Sequence, residues 1–105
     1  MILNKNKLEE LKKISEVHEF FESYLQMSAE LKLKLDADFE AKNLEGLHFH
    51  AHSLKSSSYA LGLEDLGDLC KTFELCMDWE YLKGKKDDLS KLYEKTINEI
   101  LNYKE

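Results

Sequence analysis

The chain has 105 residues, is 43% hydrophobic and carries a formal net charge of -6, which is enough for one domain over residues 1–105 with a modest core. The acidic balance argues against binding to nucleic-acid phosphates, and all basic residues are lysines, so no guanidinium group is available for bidentate recognition. No stretch approaches the ~18 apolar residues of a membrane span, and the N-terminus lacks a signal-peptide pattern, so we expect no membrane contact and a cytoplasmic protein.

The composition is typical of a helical protein, because proline is absent, glycine is rare and Leu, Lys, Glu and Ala dominate. Residues 3–13 show a short amphipathic pattern, which predicts a helix that packs on the rest of the chain. From Glu16 to Ala41, apolar residues recur every three or four positions and form the predicted inner stripe of Val17, Phe20, Phe21, Tyr24, Leu25, Met27, Leu31, Leu35 and Phe39. This pattern predicts one long helix, with Leu33 outside its apolar stripe.

The next predicted helix begins after Asn43, whose side chain can cap the first turn, and ends near Gly62, the residue type best able to adopt a positive φ. Its apolar sector consists of Leu47, Ala51, Leu54, Ser58 and Leu61. The pattern then predicts a third helix over Glu64–Leu82, with an inner side formed by Leu66, Leu69, Cys70, Phe73, Cys76, Met77 and Tyr81.

The stretch KGKKDD interrupts the helical periodicity after Leu82. Gly84 is predicted to end one helix, and Asp87 or Asp88 to cap the last one, whose inner stripe runs from Leu89 to Leu101. Four long amphipathic helices joined by short loops predict an all-α fold. The simplest arrangement is an up-and-down antiparallel four-helix bundle with an additional short N-terminal helix.

Three histidines alternate within the second long helix, and helical phase separates them. His52 points away from the apolar sector, with His48 one turn before it and Lys55 one turn after it. His50 lies at the edge of the apolar sector. We expect His50 to be half-buried and hydrogen-bonded to a side chain or carbonyl across the bundle.

Alternating histidines can also indicate a metal site, but on a helix only His48 and His52 align as an i,i+4 pair. Two ligands do not complete a zinc site, and the chain has no HExxH pattern, so we predict no metal. Cys70 and Cys76 are six residues apart and fall on different faces of a helix. They are therefore predicted to be free thiols rather than a disulfide or a metal pair.

The segment AHSLKSSSYALGLEDLGDLCKTFE, residues 51–74, resembles the signature of histidine-containing phosphotransfer (HPt) domains. That signature reads AHxLKGSSxxLG, followed by a leucine-rich helix that ends in cysteine, two further residues and LE. The matching positions are Ala51, His52, Leu54, Lys55, Ser57, Leu61, Gly62, Leu66, Cys70 and Glu74. The resemblance extends over nearly the whole chain and implies a four-helix bundle with an extra N-terminal helix, in which His52 is phosphorylated.

The chain departs from this signature at two positions. Ser56 stands where the family usually has glycine, a residue that lets a partner or a neighbouring helix approach closely. The serine could tighten that approach or give the phosphate a further donor. His50 replaces the usual apolar residue before Ala51 and His52, which affects local packing rather than the chemistry.

The resemblance implies a relay in which one ring nitrogen of His52, Nε2, attacks the aspartyl phosphate of a receiver domain and later yields the phosphoryl group to a second receiver. A solvated imidazole is partly uncharged near neutral pH and then has a lone pair for this attack. Phosphoryl transfer needs positioning and positive charge, so Lys55 and Ser56 are predicted to assist.

The docking surface for the receiver is predicted to surround the phosphorylated histidine. His48, Phe49 and Tyr59 lie on its side of the helix and are the predicted contact residues. For Phe49, inward packing is an equally good alternative.

The chain has no Walker loop and no glycine-rich nucleotide cradle, so we predict a phosphoryl carrier without kinase activity and without a cofactor. Any magnesium would belong to the receiver. The expected partners are receiver domains of a hybrid sensor kinase and of a response regulator. The protein itself is expected to be a monomer. Three alternatives stay open: a phosphotransfer domain of a chemotaxis-type kinase, a receiver-binding module that does not transfer phosphate, and a metal-binding bundle. The first is less favoured, because such kinases carry further domains after the bundle and this sequence ends there.

Overall fold

The computed structural model describes the backbone of residues 17–104 and the side chains of residues 19–103. The described part of the chain is all-helical, which confirms the predicted all-α class. Its five helices are α1 (Val17–Glu40), α2 (Leu44–Ala60), α3 (Glu64–Leu75), α4 (Trp79–Gly84) and α5 (Lys86–Lys104). The helix predicted over residues 3–13 lies outside the described residues.

The turn between α1 and α2 is closed by Asn43, as predicted. The side-chain oxygen of Asn43 accepts a hydrogen bond of 2.9 Å from the backbone N–H of Gly46, which satisfies one unpaired donor of the first turn of α2. The backbone N–H of Asn43 donates back to the Asp38 carbonyl at 2.8 Å. Lys42 takes a positive φ of 52° between the two helices.

The turn between α2 and α3 depends on Gly62, which takes the predicted positive φ, at 76°. Its N–H donates to the Tyr59 carbonyl at 3.0 Å, and the N–H of Leu63 donates to the Ser58 carbonyl at 2.8 Å. These two bonds form a Schellman motif, which satisfies the last carbonyls of α2 and reverses the chain within three residues.

The single helix predicted over Glu64–Leu82 is wrong, because the chain leaves the helix at Cys76 and resumes it at Trp79. Cys76 has an extended backbone, with φ -78° and ψ 131°. The Asp78 carboxylate accepts from the backbone N–H of Tyr81 at 3.2 Å and so caps a new helix, α4. An aspartate that binds the backbone in this way competes with a continuous helix.

The predicted capping of the last helix is also wrong. Gly84 ends α4 as predicted, but α5 already begins at Lys86. Asp87 and Asp88 therefore lie inside the first turn of α5. Their carboxylates are favourable there because the N-terminus of a helix carries a partial positive charge.

The core is a single cluster to which each of the five helices contributes. The predicted apolar sector of α2 is completely buried, and Leu33 is exposed as predicted. The predicted inner positions that are instead exposed are Phe20, Met27, Met77, Tyr81 and Leu101. Met77 is exposed because it lies in the break after α3, and Tyr81 because it follows that break, on α4, where the predicted stripe no longer continues. On α1 and α5, the apolar stripe is wider than the face that the helix buries.

The four longer helices contact one another in a closed ring, in which α1 packs on α2, α2 on α3, α3 on α5 and α5 on α1. Two pairs of hydroxyl groups inside this ring lie within hydrogen-bonding distance of each other. The Tyr24 hydroxyl lies 2.9 Å from Ser58 Oγ, and Ser28 Oγ lies 3.4 Å from the Tyr93 hydroxyl. Within residues 17–104, no helix combines the length and apolar character that crossing a membrane requires.

Replacing Gly62 by Ala should destabilise the protein by about 1–2 kcal/mol, because a β-carbon is unfavourable at a positive φ. Urea unfolding followed by circular dichroism measures this change. Gly84→Ala is the matched control, since a β-carbon there meets no atom within 4 Å. The control should be neutral or slightly stabilising, and equal losses in both variants would contradict the role of Gly62.

Candidate functional site

His52 stands on the outer side of α2, opposite the buried sector, and its side chain is 58% exposed. Its Nδ1 lies 2.6 Å from Oε1 of Glu74, on α3. An ionised carboxylate can only accept a hydrogen bond, so the ring nitrogen that faces it carries the proton. In the neutral ring, the lone pair is therefore on Nε2, the nitrogen that is not held by Glu74.

Glu74 binds two groups of α2 at once, because its second oxygen, Oε2, lies 2.5 Å from Nζ of Lys55. The side chains of Glu74 and Lys55 are each about one-fifth exposed. The contact with Lys55 first, and then the hydrogen bond from His52, lower the pKa of the Glu74 carboxyl below its usual value of 4.5. The carboxylate therefore stays ionised throughout the neutral range.

The role of Glu74 was not predicted from the sequence, although Glu74 occupies a position of the signature. A usable signal exists in the spacing. Gly62 reverses the chain, so residues 10 to 12 positions on either side of it return to the same level of two antiparallel helices. His52 lies 10 residues before Gly62 and Glu74 lies 12 residues after it, so the two side chains are expected side by side on the two helices.

Ser56 and Phe49 lie on the outward side of α2, one turn after and one turn before His52. The side chain of Phe49 is 67% exposed, so the alternative of inward packing is wrong. Ser56 is also exposed. The side chain that replaces the usual glycine therefore faces solvent rather than a neighbouring helix of the bundle.

The other two predicted contact residues have partners within the chain. His48 Nε2 lies 2.8 Å from the Cys76 carbonyl, to which it donates. The Tyr59 hydroxyl donates to Asp68 Oδ1 at 2.6 Å, a bond that is the main cause of the rise in the pKa of Tyr59 to about 12. Contact of His48 and Tyr59 with a receiver stays a prediction.

His50 has the cross-bundle partner expected from its position. Its Nδ1 lies 2.6 Å from Oδ2 of Asp38, on α1, and its side chain is largely buried. Cys70 and Cys76 are free thiols, as predicted, and burial raises the pKa of Cys70 to about 12. In the described part of the chain, no three His, Cys, Asp or Glu side chains are grouped so that they could hold a metal ion.

These contacts equip His52 for nucleophilic attack on an electrophile brought by another molecule. The exposed Nε2 is accessible, and Glu74 holds the ring by its other nitrogen. When Nε2 forms a bond, the ring gains positive charge, which the carboxylate 2.6 Å away stabilises. The arrangement can therefore accept a group without moving a proton.

Replacing Glu74 by Gln should increase the share of the His52 tautomer protonated on Nε2, because the amide can donate to Nδ1 as well as accept from it. ¹⁵N chemical shifts of the ring measure this share.

Because its folded pKa is lowered, Glu74 contributes stability above pH 4.5 and loses it as the pH falls through the lowered value.

The loss of stability caused by Glu74→Gln should therefore be present at pH 7 and disappear in acid, as measured by urea unfolding over a pH series. Glu80→Gln, on the exposed side of α4, is the control and should show neither effect. A difference between wild type and Glu74→Gln that is constant from pH 7 to acid would contradict the ionic contacts.

Comparison with known protein families gives a match over most of the chain. The family model described as Hpt domain matches residues 19–103, a range that includes His52, Lys55 and Glu74. A search of the curated proteins and a search of the solved structures found no match.

Proposed function

The chain belongs to the Hpt domain family, and on this basis we propose that it is a phosphorelay intermediate whose phosphoryl carrier is His52. Membership implies histidine phosphotransfer in two-component signalling, by a phosphocarrier rather than a kinase. The single observation that supports the choice of His52 most strongly is its hydrogen bond to Glu74. That bond leaves Nε2 of an exposed ring with the lone pair.

In the proposed step, Nε2 of His52 attacks the phosphorus of an aspartyl phosphate on a receiver domain. The N–P bond forms as the P–O bond to the acyl oxygen breaks, and the aspartate leaves as a carboxylate. Nδ1 keeps its proton, and the Glu74 carboxylate stabilises the positive ring. In the onward step, an aspartate oxygen of a second receiver attacks the phosphorus and the N–P bond breaks.

Lys55 and Ser56 are proposed to assist the transfer. The transition state carries negative charge on the phosphoryl oxygens, so a nearby ammonium and a hydroxyl donor stabilise it. Lys55 lies beside the same carboxylate as His52, and the Ser56 side chain is exposed one turn after His52. Both are expected to increase the rate without being indispensable.

The proposed partners are the receiver domain of a hybrid sensor kinase, as donor, and that of a response regulator, as acceptor. Magnesium is expected on the receiver, and the protein itself is expected to need no cofactor. We further propose a cytoplasmic monomer whose four longer helices run up and down. The three-residue turns around Asn43 and Gly62 and the closed ring of helix contacts support this arrangement.

His52→Gln should abolish phosphorylation, because glutamine has no nucleophilic ring nitrogen. The measurement is incubation with each receiver domain of the same cell, loaded with ³²P-phosphate, followed by gel autoradiography. Wild type and the matched variant His48→Gln should both acquire label. The label should be acid-labile and base-stable, as expected of an N–P bond.

Two results would contradict this proposal. Label on His52→Gln but not on His48→Gln would move the phosphorylated residue away from His52. Receivers that bind the wild-type protein, with none of them labelling it, would instead indicate the non-transferring binding module.

Phe49→Ala should weaken binding to the receiver that transfers phosphate by about tenfold, because an exposed aromatic residue beside the reacting histidine is a typical interface anchor. Isothermal titration calorimetry measures the dissociation constant. Leu33→Ala is the matched control, since Leu33 is 71% exposed on α1. Equal affinities of the two variants would remove Phe49 from the proposed docking surface.

A further inference from the structure

The hydrogen bond between His48 and the Cys76 carbonyl ties α2 to the end of α3. Its length is 2.8 Å, and the His48 side chain is half-buried against α3. Cys76 follows Glu74 by two residues. His48 also precedes His52 by one helical turn, so both histidines reach from the same side of α2 to the C-terminal end of α3, His52 to its last turn and His48 to the residue that follows it.

The end of a helix leaves its last carbonyl groups without partners inside the helix, and such ends fray. In α3, the last helical hydrogen bond runs from the Cys76 N–H to the Thr72 carbonyl, after which the backbone becomes extended. His48 supplies a donor to the Cys76 carbonyl from a neighbouring helix. Together with the packing of the Cys76 and Trp79 side chains against the core, this bond fixes the chain directly after α3.

Glu74 lies within this last turn, where a small movement would change its distances to both of its partners. On the inner side, the turn is anchored by Phe73, which is fully buried and packs edge-on against Phe39 with ring centres 5.8 Å apart. On either side of Cys76, Leu75 is 64% exposed and Met77 is 73% exposed, so neither side chain anchors the chain in the core.

We propose that His48 is a positioning residue for phosphoryl transfer, which acts by holding the end of α3 so that Glu74 keeps the proton of His52 on Nδ1. This role rests on the proposed function, in which Nε2 of His52 is the nucleophile. It differs from the predicted role of His48 in partner contact, because it operates within the free protein.

The first test is spectroscopic and needs no partner. In wild type, ¹⁵N shifts of the His52 ring should indicate the tautomer with the proton on Nδ1. His48→Ala should increase the share of the other tautomer. His48→Gln should restore the wild-type shifts, because its amide nitrogen lies at nearly the same reach as Nε2, whereas the shorter His48→Asn should not.

The second test uses phosphoramidate as a small phosphodonor, with ³¹P NMR to measure phosphohistidine. The N–P bond of the donor breaks as the bond to His52 forms, and ammonia leaves. His48→Ala and His48→Asn should react roughly three- to tenfold more slowly than wild type, as expected for the loss of one hydrogen bond. His48→Gln should stay within about twofold of wild type.

Ser53→Ala is the matched control on α2, because the one hydrogen bond of Ser53 Oγ within the described residues goes to the Phe49 carbonyl of its own helix, at 3.4 Å. It should leave the tautomer and the rate unchanged. If His48→Ala fails to fold, the comparison of His48→Gln with His48→Asn still tests the positioning role. Both side chains are polar, but only that of Gln is long enough to reach the Cys76 carbonyl as His48 does.

Wild-type tautomer and rate in both His48→Ala and His48→Asn would overturn the positioning role while leaving the proposed function intact. Equal behaviour of the Gln and Asn variants would also overturn it. If instead the wild-type protein and His52→Gln are phosphorylated alike, the proposed function fails. The ¹⁵N shifts would then still show separately whether His48 controls the His52 tautomer.

Discussion

The carboxylate of Glu74 is the group on which the site depends, because it is shared between His52 and Lys55. One oxygen lies 2.6 Å from the imidazole and the other 2.5 Å from the ammonium. This sharing lowers the pKa of Glu74 and keeps the acceptor charged, and a charged acceptor keeps the proton of His52 on Nδ1. The position of the proton on a residue of α2 is therefore set by a residue of α3.

The register between these two helices has identifiable causes. Gly62 reverses the chain in a tight turn, and Gly67 lets the ring of Tyr59 lie directly against α3. A β-carbon at Gly67 would lie only 2.4 Å from that ring. The Tyr59 hydroxyl is then bound by Asp68. These contacts near the turn bring the far end of α3, with Glu74, to the level of His52.

The three alternating histidines have three different partners, although they lie within five residues. Successive residues of a helix differ by about 100° in direction, so His48 and His52 face α3 while His50 faces α1. His50 binds a buried carboxylate, His48 a backbone carbonyl, and His52 a carboxylate at the surface. Of the three, only His52 is exposed, and its Nε2 is not the nitrogen that Glu74 binds.

Local chemistry in the sequence determined the helices of α1 and α2, the cap at Asn43, the turn at Gly62 and the buried sector of α2, because each of these depends on residues within a turn or two. The signature singled out His52.

Tertiary structure decided what depends on the packing of distant segments: the break after α3, the exposure of Phe49 and the sharing of Glu74. The periodicity of Glu64–Leu82 fits a continuous helix, and its interruption involves Asp78 together with a donor from α2. Likewise, a contact between residues 22 positions apart requires the register of two helices, which the periodicity of either helix alone does not contain.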